Sequence, residues 1–162
     1  MSQVFVSGHK SPDTDSIAAA LSYSYLKRRL GMDAVAVRAG EINKESRFAL
    51  DYFDLEEPIL VTSVARKNPE DEKQKVILVD HNESKQTIDG MDDAEVLEII
   101  DHHRFGDFES ENPIFILVRP VGCVNTVIYG LYKANHIKPS REIAGIMLSA
   151  ICLLYTSPSP RD

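Results

Sequence analysis

Gly8-His9-Lys10-Ser11-Pro12-Asp13-Thr14-Asp15-Ser16 follows the apolar run Val4-Phe5-Val6 and leads into a helical pattern that begins at Ile17. The apolar run is too short for an amphipathic helix and reads as a buried strand. Pro12 keeps Ser11 extended, and Asp13 is a good N-cap for the helix that follows. Ile17, Ala20, Leu21 and Tyr25 recur at helical spacing. Lys27, Arg28 and Arg29 complement the negative helix end, and Gly31 stops it. One imidazole and two carboxylates therefore share the turn between a strand and a helix. Capping alone accounts for the aspartates taken singly; it does not account for the histidine beside them.

Two later segments repeat the arrangement. Val76-Ile77-Leu78-Val79 runs into Asp80-His81-Asn82-Glu83, and Val96-Leu97-Glu98-Ile99-Ile100 runs into Asp101-His102-His103-Arg104. Further strands are expected at 34–37, 59–61 and 114–118, with helices at 44–53 (capped by Asn43), 123–135 and 141–153 (capped by Ser140). Asp89-Gly90 reads as a turn and 65–75 as a surface loop. Strands alternating with helices predict an α/β fold, a doubly wound and mainly parallel sheet of Rossmann-like type with helices on both faces. Ligands of such sheets bind outside the carboxyl ends of the strands. The three acid- and histidine-bearing ends are thus expected to converge on one site.

The chemistry of that site follows from its residue types. His9, Asp13, Asp15, Asp80 and His102 form a candidate ligand set, and imidazole with carboxylate suits manganese, iron, cobalt or zinc. Three carboxylates exceed what one dication needs and suit a pair, ~3.5–4 Å apart, that clamps an in-line phosphoryl displacement. Asp80, at the end of a central strand, is the natural bridge, and a metal-bridging hydroxide would then be the nucleophile. His103 alternates away from His102 and is the candidate catalytic residue, donating a proton or hydrogen bond to a phosphate oxygen. His81 alternates away from Asp80 and is expected to support a ligand rather than be one. His136 reads as surface, Cys123 as a small core residue, and Lys10 and Arg104 as solvated cations.

Bulk properties narrow the class. A length of 162 residues with 43% hydrophobic content suits one domain with a real core. A net charge of -7 speaks against broad nucleic-acid binding, which needs a basic patch. Cys123 and Cys152 make neither a disulfide framework nor a zinc knuckle. No signal-peptide pattern and no apolar run of ~18 residues is present, so a soluble cytoplasmic protein without membrane contact is the expectation.

The quoted motifs resemble the DHH phosphoesterase superfamily, and within it the family II, manganese-dependent inorganic pyrophosphatases. The likeness rests on the segment from Gly8 to Ile17, on Val79-Asp80-His81-Asn82-Glu83, on Ile99-Ile100-Asp101-His102-His103-Arg104, on Pro120-Val121-Gly122-Cys123, and on the stretch from Glu142 to Ile151. Asp13-Thr14-Asp15-Ser16 favours pyrophosphatases over the superfamily's nucleases, which tend to carry glycine between the two aspartates. The resemblance implies a DHH-type N-terminal domain over 1–151. It implies hydrolysis of pyrophosphate to two phosphates, two Mn2+ sites and possible Mg2+ with the substrate. It makes His9, Asp13 and Asp80 ligands of one manganese, Asp15, Asp80 and His102 ligands of the second, and His103 the substrate-binding general acid. A homodimer through this domain is a further implication.

Two departures from the family pattern set further expectations. The family continues after Ser149-Ala150-Ile151 into a serine-aspartate pair that completes the second site, where this chain has Cys152-Leu153-Leu154. The Ser/Pro-rich residues 152–162 therefore read as a non-native or disordered tail, and the family's C-terminal substrate-clamping domain as absent. Such a fragment is expected to be poorly active. The competing readings are a superfamily exopolyphosphatase or oligonucleotide phosphoesterase, and an inactive metal-binding domain.

Overall fold

Short apolar runs rich in β-branched residues form the strands, and every pairing between strands is parallel. The computed structural model describes residues 3–156. Its strands are β1 (Val4–Ser7), β2 (Ala34–Arg38), β3 (Ile59–Leu60), β4 (Lys75–Val79), β5 (Glu95–Asp101) and β6 (Phe115–Val118). They lie side by side in the order β3-β2-β1-β4-β5-β6. The helices are α1 (Thr14–Arg29), α2 (Lys44–Tyr52), α3 (Val124–Ala134) and α4 (Arg141–Thr156). The chain winds outward from β1 through β2 to β3, then returns to the other side of β1 as β4. The α/β class and the parallel sheet read from the sequence are therefore the ones observed, while the expectation of helices on both faces is corrected: the four α-helices share one face.

Strand alternation divides the core. Val4, Val6, Ala34, Ala36, Ile77, Val79 and Ile100 face α1 and α3, where they meet Ala19, Ala20, Tyr23, Val124 and Ile128. Val37, Val76, Leu78 and Ile99 face the opposite way and pack with Val64 and Ile88. A bulge in β5 opposes Val76 to Val96 but Ile77 to Glu98. Glu98 thereby reaches the helical face, where its carboxylate accepts from the Tyr23 hydroxyl at 2.6 Å and pairs with Lys27.

The two faces are clad differently. The four α-helices pack among themselves on one side: α2 and α4 join α1 through Ala49, Leu50, Ile146 and Ala150. On the other side the only helical cover among the described residues is the pair of 3-10 turns Ser84–Gln86 and Met91–Asp93. The β4–β5 crossover lacks helical periodicity and carries Gly90 at φ 78°, so it collapses into single turns around the buried Ile88.

Caps fall where the sequence places them. The Asp13 carboxylate accepts from the Ser16 N–H, the Asn43 amide oxygen from the Ser46 N–H, and the Ser140 hydroxyl from the Ile143 N–H. Helix α4 continues past Cys152 to Thr156, so the tail expected to be non-native or disordered from 152 begins as helix, and its remainder, residues 157–162, lies outside the described residues.

Candidate metal centre

The order of the sheet places a crevice between β1 and β4, where the direction of winding reverses, and ligands of open α/β sheets bind at such a reversal. Pairing of Ser7 with Leu78 and of Val79 with Ile100 brings the ends of β1, β4 and β5 together. Close packing of the first turn depends on Gly8, because a Cβ there would lie 1.8 Å from Ser16 Oγ. The same hydroxyl accepts the His9 N–H at 3.0 Å and aims the loop at the crevice.

Asp80 is the centre of the cluster. It is 0% exposed and sits at φ 62°, a left-handed conformation that is uncommon for a residue with a side chain. Its Oδ1 lies 3.0 Å from His102 Nε2, and its Oδ2 lies 3.3 Å from His9 Nε2 without a hydrogen bond. Asp13 Oδ1 is 3.7 Å from the same His9 nitrogen, so this aspartate both caps α1 and faces the cluster. Burial alone would push the Asp80 carboxyl up, but His102 and His9 outweigh it and hold the group well below the usual carboxylate range. Burial likewise depresses His9 and His102, and the facing carboxylates overcome it and raise both to about 9.

His102 is held in a defined state. Its Nδ1 donates to the Val121 carbonyl at 2.7 Å, and with the ring raised to about 9 its Nε2 donates to Asp80 Oδ1; in the neutral ring the proton stays on Nδ1 and the Nε2 lone pair would be left for a metal. Asp15 Oδ2 is 3.5 Å from the same Nε2. Asp15, in the first turn of α1, is buried against the start of α3; burial and the neighbouring Asp80 charge raise it to about 6. All five residues of the predicted ligand set are thus brought together.

The predicted catalytic residue stands at the edge. The His103 side chain is 28% exposed against 8% for His102, and the two rings are tilted by 54° with centroids 4.1 Å apart. His103 Nδ1 lies 2.7 Å from Asp101 Oδ1. Asp101 is a residue whose importance the sequence reading passed over. Its carboxylate accepts from the His102 and His103 backbone N–H groups and from Asn82 Nδ2 at 2.6 Å. Asn82 in turn holds the Arg104 carbonyl and the Gly106 N–H, tying down the loop after β5. The signal was present in the Asp-His-His triplet, but a strand-end aspartate has a bland reading that sequence alone does not remove.

The residues expected to stand aside do so. His81 is buried; its Nδ1 meets the Val79 carbonyl at 2.9 Å, its ring stands edge-on to His9, and burial pulls it down to about 4. His136 is exposed. Lys10 pairs with Asp89, and Arg104 pairs with Glu83 at 3.0 Å. Burial pushes the Cys123 thiol far up, which excludes an activated thiolate.

Two sets of ligand atoms each lie within 4.8 Å of one another: His9, Asp13 and Asp80, and Asp80, Asp101, His102 and His103. A buried carboxylate oxygen without a donor is costly. Asp80 Oδ2, which has no hydrogen bond, lies 3.3 Å from His9 Nε2, and Asp13 Oδ1 lies 3.7 Å from that same nitrogen; the three fit a cation between them, and the nitrogen–oxygen donor set fits a borderline divalent metal.

Comparison with known proteins gives the family. The profile of the DHH family, N-terminal domain, matches residues 3–151. The chain belongs to the DHH family. A manganese-dependent inorganic pyrophosphatase of Bacillus subtilis is 46% identical over 165 residues, covering 100% of this chain and 52% of that protein. A relative in Exiguobacterium sp. assigned to the same activity is 48% identical, again over 100% of this chain and 52% of its own length. A Methanococcus jannaschii crystal structure assigned to family II inorganic pyrophosphatases superposes with a TM-score of 0.82 at 36% identity, covering 96% of this chain and 51% of that one. This DHH chain therefore spans about half the length of the relatives it matches.

Proposed function

We propose that this chain carries the metal centre of a manganese-dependent inorganic pyrophosphatase that hydrolyses pyrophosphate to two phosphates. The observation that supports it most is the gathering of two imidazoles and two further carboxylates around the fully buried Asp80. His9, Asp13 and Asp80 would hold one manganese, and Asp15, Asp80 and His102 the second, with Asp80 shared. When bound, the metal pair supplies Lewis-acid polarisation of the phosphate and makes a water acidic enough to attack at neutral pH. The chain's own part is positioning. The Val121 carbonyl keeps the His102 proton on Nδ1, and the left-handed backbone at Asp80 turns its two oxygens toward opposite histidines. His103, with Nδ1 anchored on Asp101, offers Nε2 to the phosphate and acts as the general acid for the departing phosphate.

The same reading makes pyrophosphate the partner, with Mg2+ able to accompany it, and places the protein in the cytoplasm without nucleic-acid or membrane partners. The net charge of -7 supports the former exclusion. No helix among the described residues is long and apolar enough to cross a membrane. A homodimer through this domain belongs to the proposal; Phe115 and Ile116, exposed on the edge strand β6, favour such a contact. Light scattering giving a monomer mass at high concentration would remove that part.

The test of the activity is phosphate release from pyrophosphate, tripolyphosphate and a dinucleotide, each with and without manganese. Manganese-dependent release from pyrophosphate above the other two is expected, at a slow rate for the 162-residue chain by itself. Preference for tripolyphosphate or the dinucleotide would reassign the substrate, and no manganese dependence would overturn the reading.

A further inference from the structure

Asp15 stands out among the candidate ligands because another element has already claimed most of its lone pairs. Its Oδ1 accepts from Cys123 Sγ at 2.8 Å, from Asn125 Nδ2 at 2.7 Å and from the Asn125 N–H at 3.3 Å. Its Oδ2 accepts from the Val124 N–H at 2.9 Å. All four donors belong to the first turn of α3 or the residue before it, and Cys123, Val124 and Asn125 are buried. Asn125 is itself fixed: its amide oxygen accepts from the Ser22 hydroxyl at 3.0 Å, and its Nδ2 also reaches the Asp15 carbonyl.

A carboxylate has about four lone-pair sites on two oxygens. Here Oδ1 is saturated, and Oδ2 keeps one site, on the side where His102 Nε2 lies 3.5 Å away. We infer that Cys123 and Asn125 are positioning residues that lock Asp15 into monodentate metal ligation through Oδ2. The Cys123 thiol thereby has a task that neither its burial nor its sequence context announces. It donates a hydrogen bond that stops the carboxylate from rotating toward a bidentate mode. That lock suits a compact site with a nitrogen ligand over an oxygen-rich cage, which takes carboxylates bidentately.

This inference rests on the metal centre proposed above, and the experiment separates the two. Manganese binding is measured by titration calorimetry and by electron paramagnetic resonance of free Mn2+ on the wild-type chain and on Cys123→Ala, Cys123→Ser and Asn125→Ala, with a thermal melt of each metal-free protein. Removing an outer partner of a ligand typically costs about 10–100-fold in metal affinity. Cys123→Ala is expected to weaken the lower-affinity manganese class about 10-fold and leave the class held by His9, Asp13 and Asp80 unchanged. Cys123→Ser, whose hydroxyl still reaches Asp15, is expected to restore most of the loss, and Asn125→Ala to weaken the same class. Relative affinity for Ca2+ should rise in Cys123→Ala, which a purely structural role would not produce. Unchanged manganese binding in Cys123→Ala, equal weakening of both classes, or no recovery in Cys123→Ser would each overturn the inference while leaving the metal centre intact. A wild-type chain that binds no manganese would overturn both.

Discussion

His102 Nε2 lies 3.0 Å from Asp80 Oδ1, while Asp80 Oδ2 lies 3.3 Å from His9 Nε2. One aspartate thus spans two histidines that are far apart in sequence and belong to different strand ends. In the metal-free protein this is a chain of charge pairs around a buried carboxylate; under the proposed function Asp80 would serve both metals.

Asp80→Asn should abolish high-affinity manganese binding at both sites. Asparagine tolerates the left-handed backbone at φ 62°, so the variant removes the charge with little added strain. Titration calorimetry showing two manganese ions bound normally would contradict the bridging role.

Manganese binding should release protons. At pH 7 in the metal-free protein, His9 and His102, both raised to about 9, carry protons that a metal must displace. Apparent affinity should therefore climb with pH and level off above about 9. Calorimetry at pH 7 in buffers of different ionisation enthalpy should report close to two protons released; a pH-independent affinity would count against these assignments.

Stability of the metal-free protein should fall between pH 6.5 and 9. A histidine raised on folding stabilises fully below its unfolded value of 6.5, and that stability is lost as pH rises through about 9. His81, lowered to about 4, acts only below 6.5, and Asp15, raised to about 6, has lost its contribution by then, so the two histidines alone govern the lower part of the window; toward pH 9 the Cys123 thiol, pushed far up by burial, adds a loss in the same direction. Thermal melts across this range should drop without manganese and not with it. A flat metal-free profile would show that the carboxylates do not hold these imidazoles charged.

His103→Gln should separate binding from chemistry. Loss of a general acid typically costs about 10²–10⁴ in rate. Phosphate release should fall by that order while manganese stoichiometry stays the same. Loss of a manganese ion in this variant would make His103 a ligand instead.

Much of this protein was determined by its sequence alone. Short apolar strands, Asp13, Asn43 and Ser140 as caps, and acid-histidine clusters after three strands specify an α/β sheet and its reactive edge, because period and capping are local properties of the chain. The tertiary structure decided what depends on distance between segments remote in sequence. Register across β1, β4 and β5 set which oxygen of Asp80 meets which histidine. The start of α3, more than a hundred residues after Asp15, decided that this carboxylate arrives already bonded. Strand alternation already puts Asp101 and His103, two residues apart, on one face, and the bend after β5 then closed the remaining distance to 2.7 Å. The uncovered role of the second sheet face is of the same kind: the crossover between β4 and β5 has no helical period of its own, and only packing around Ile88 shaped it into two 3-10 turns.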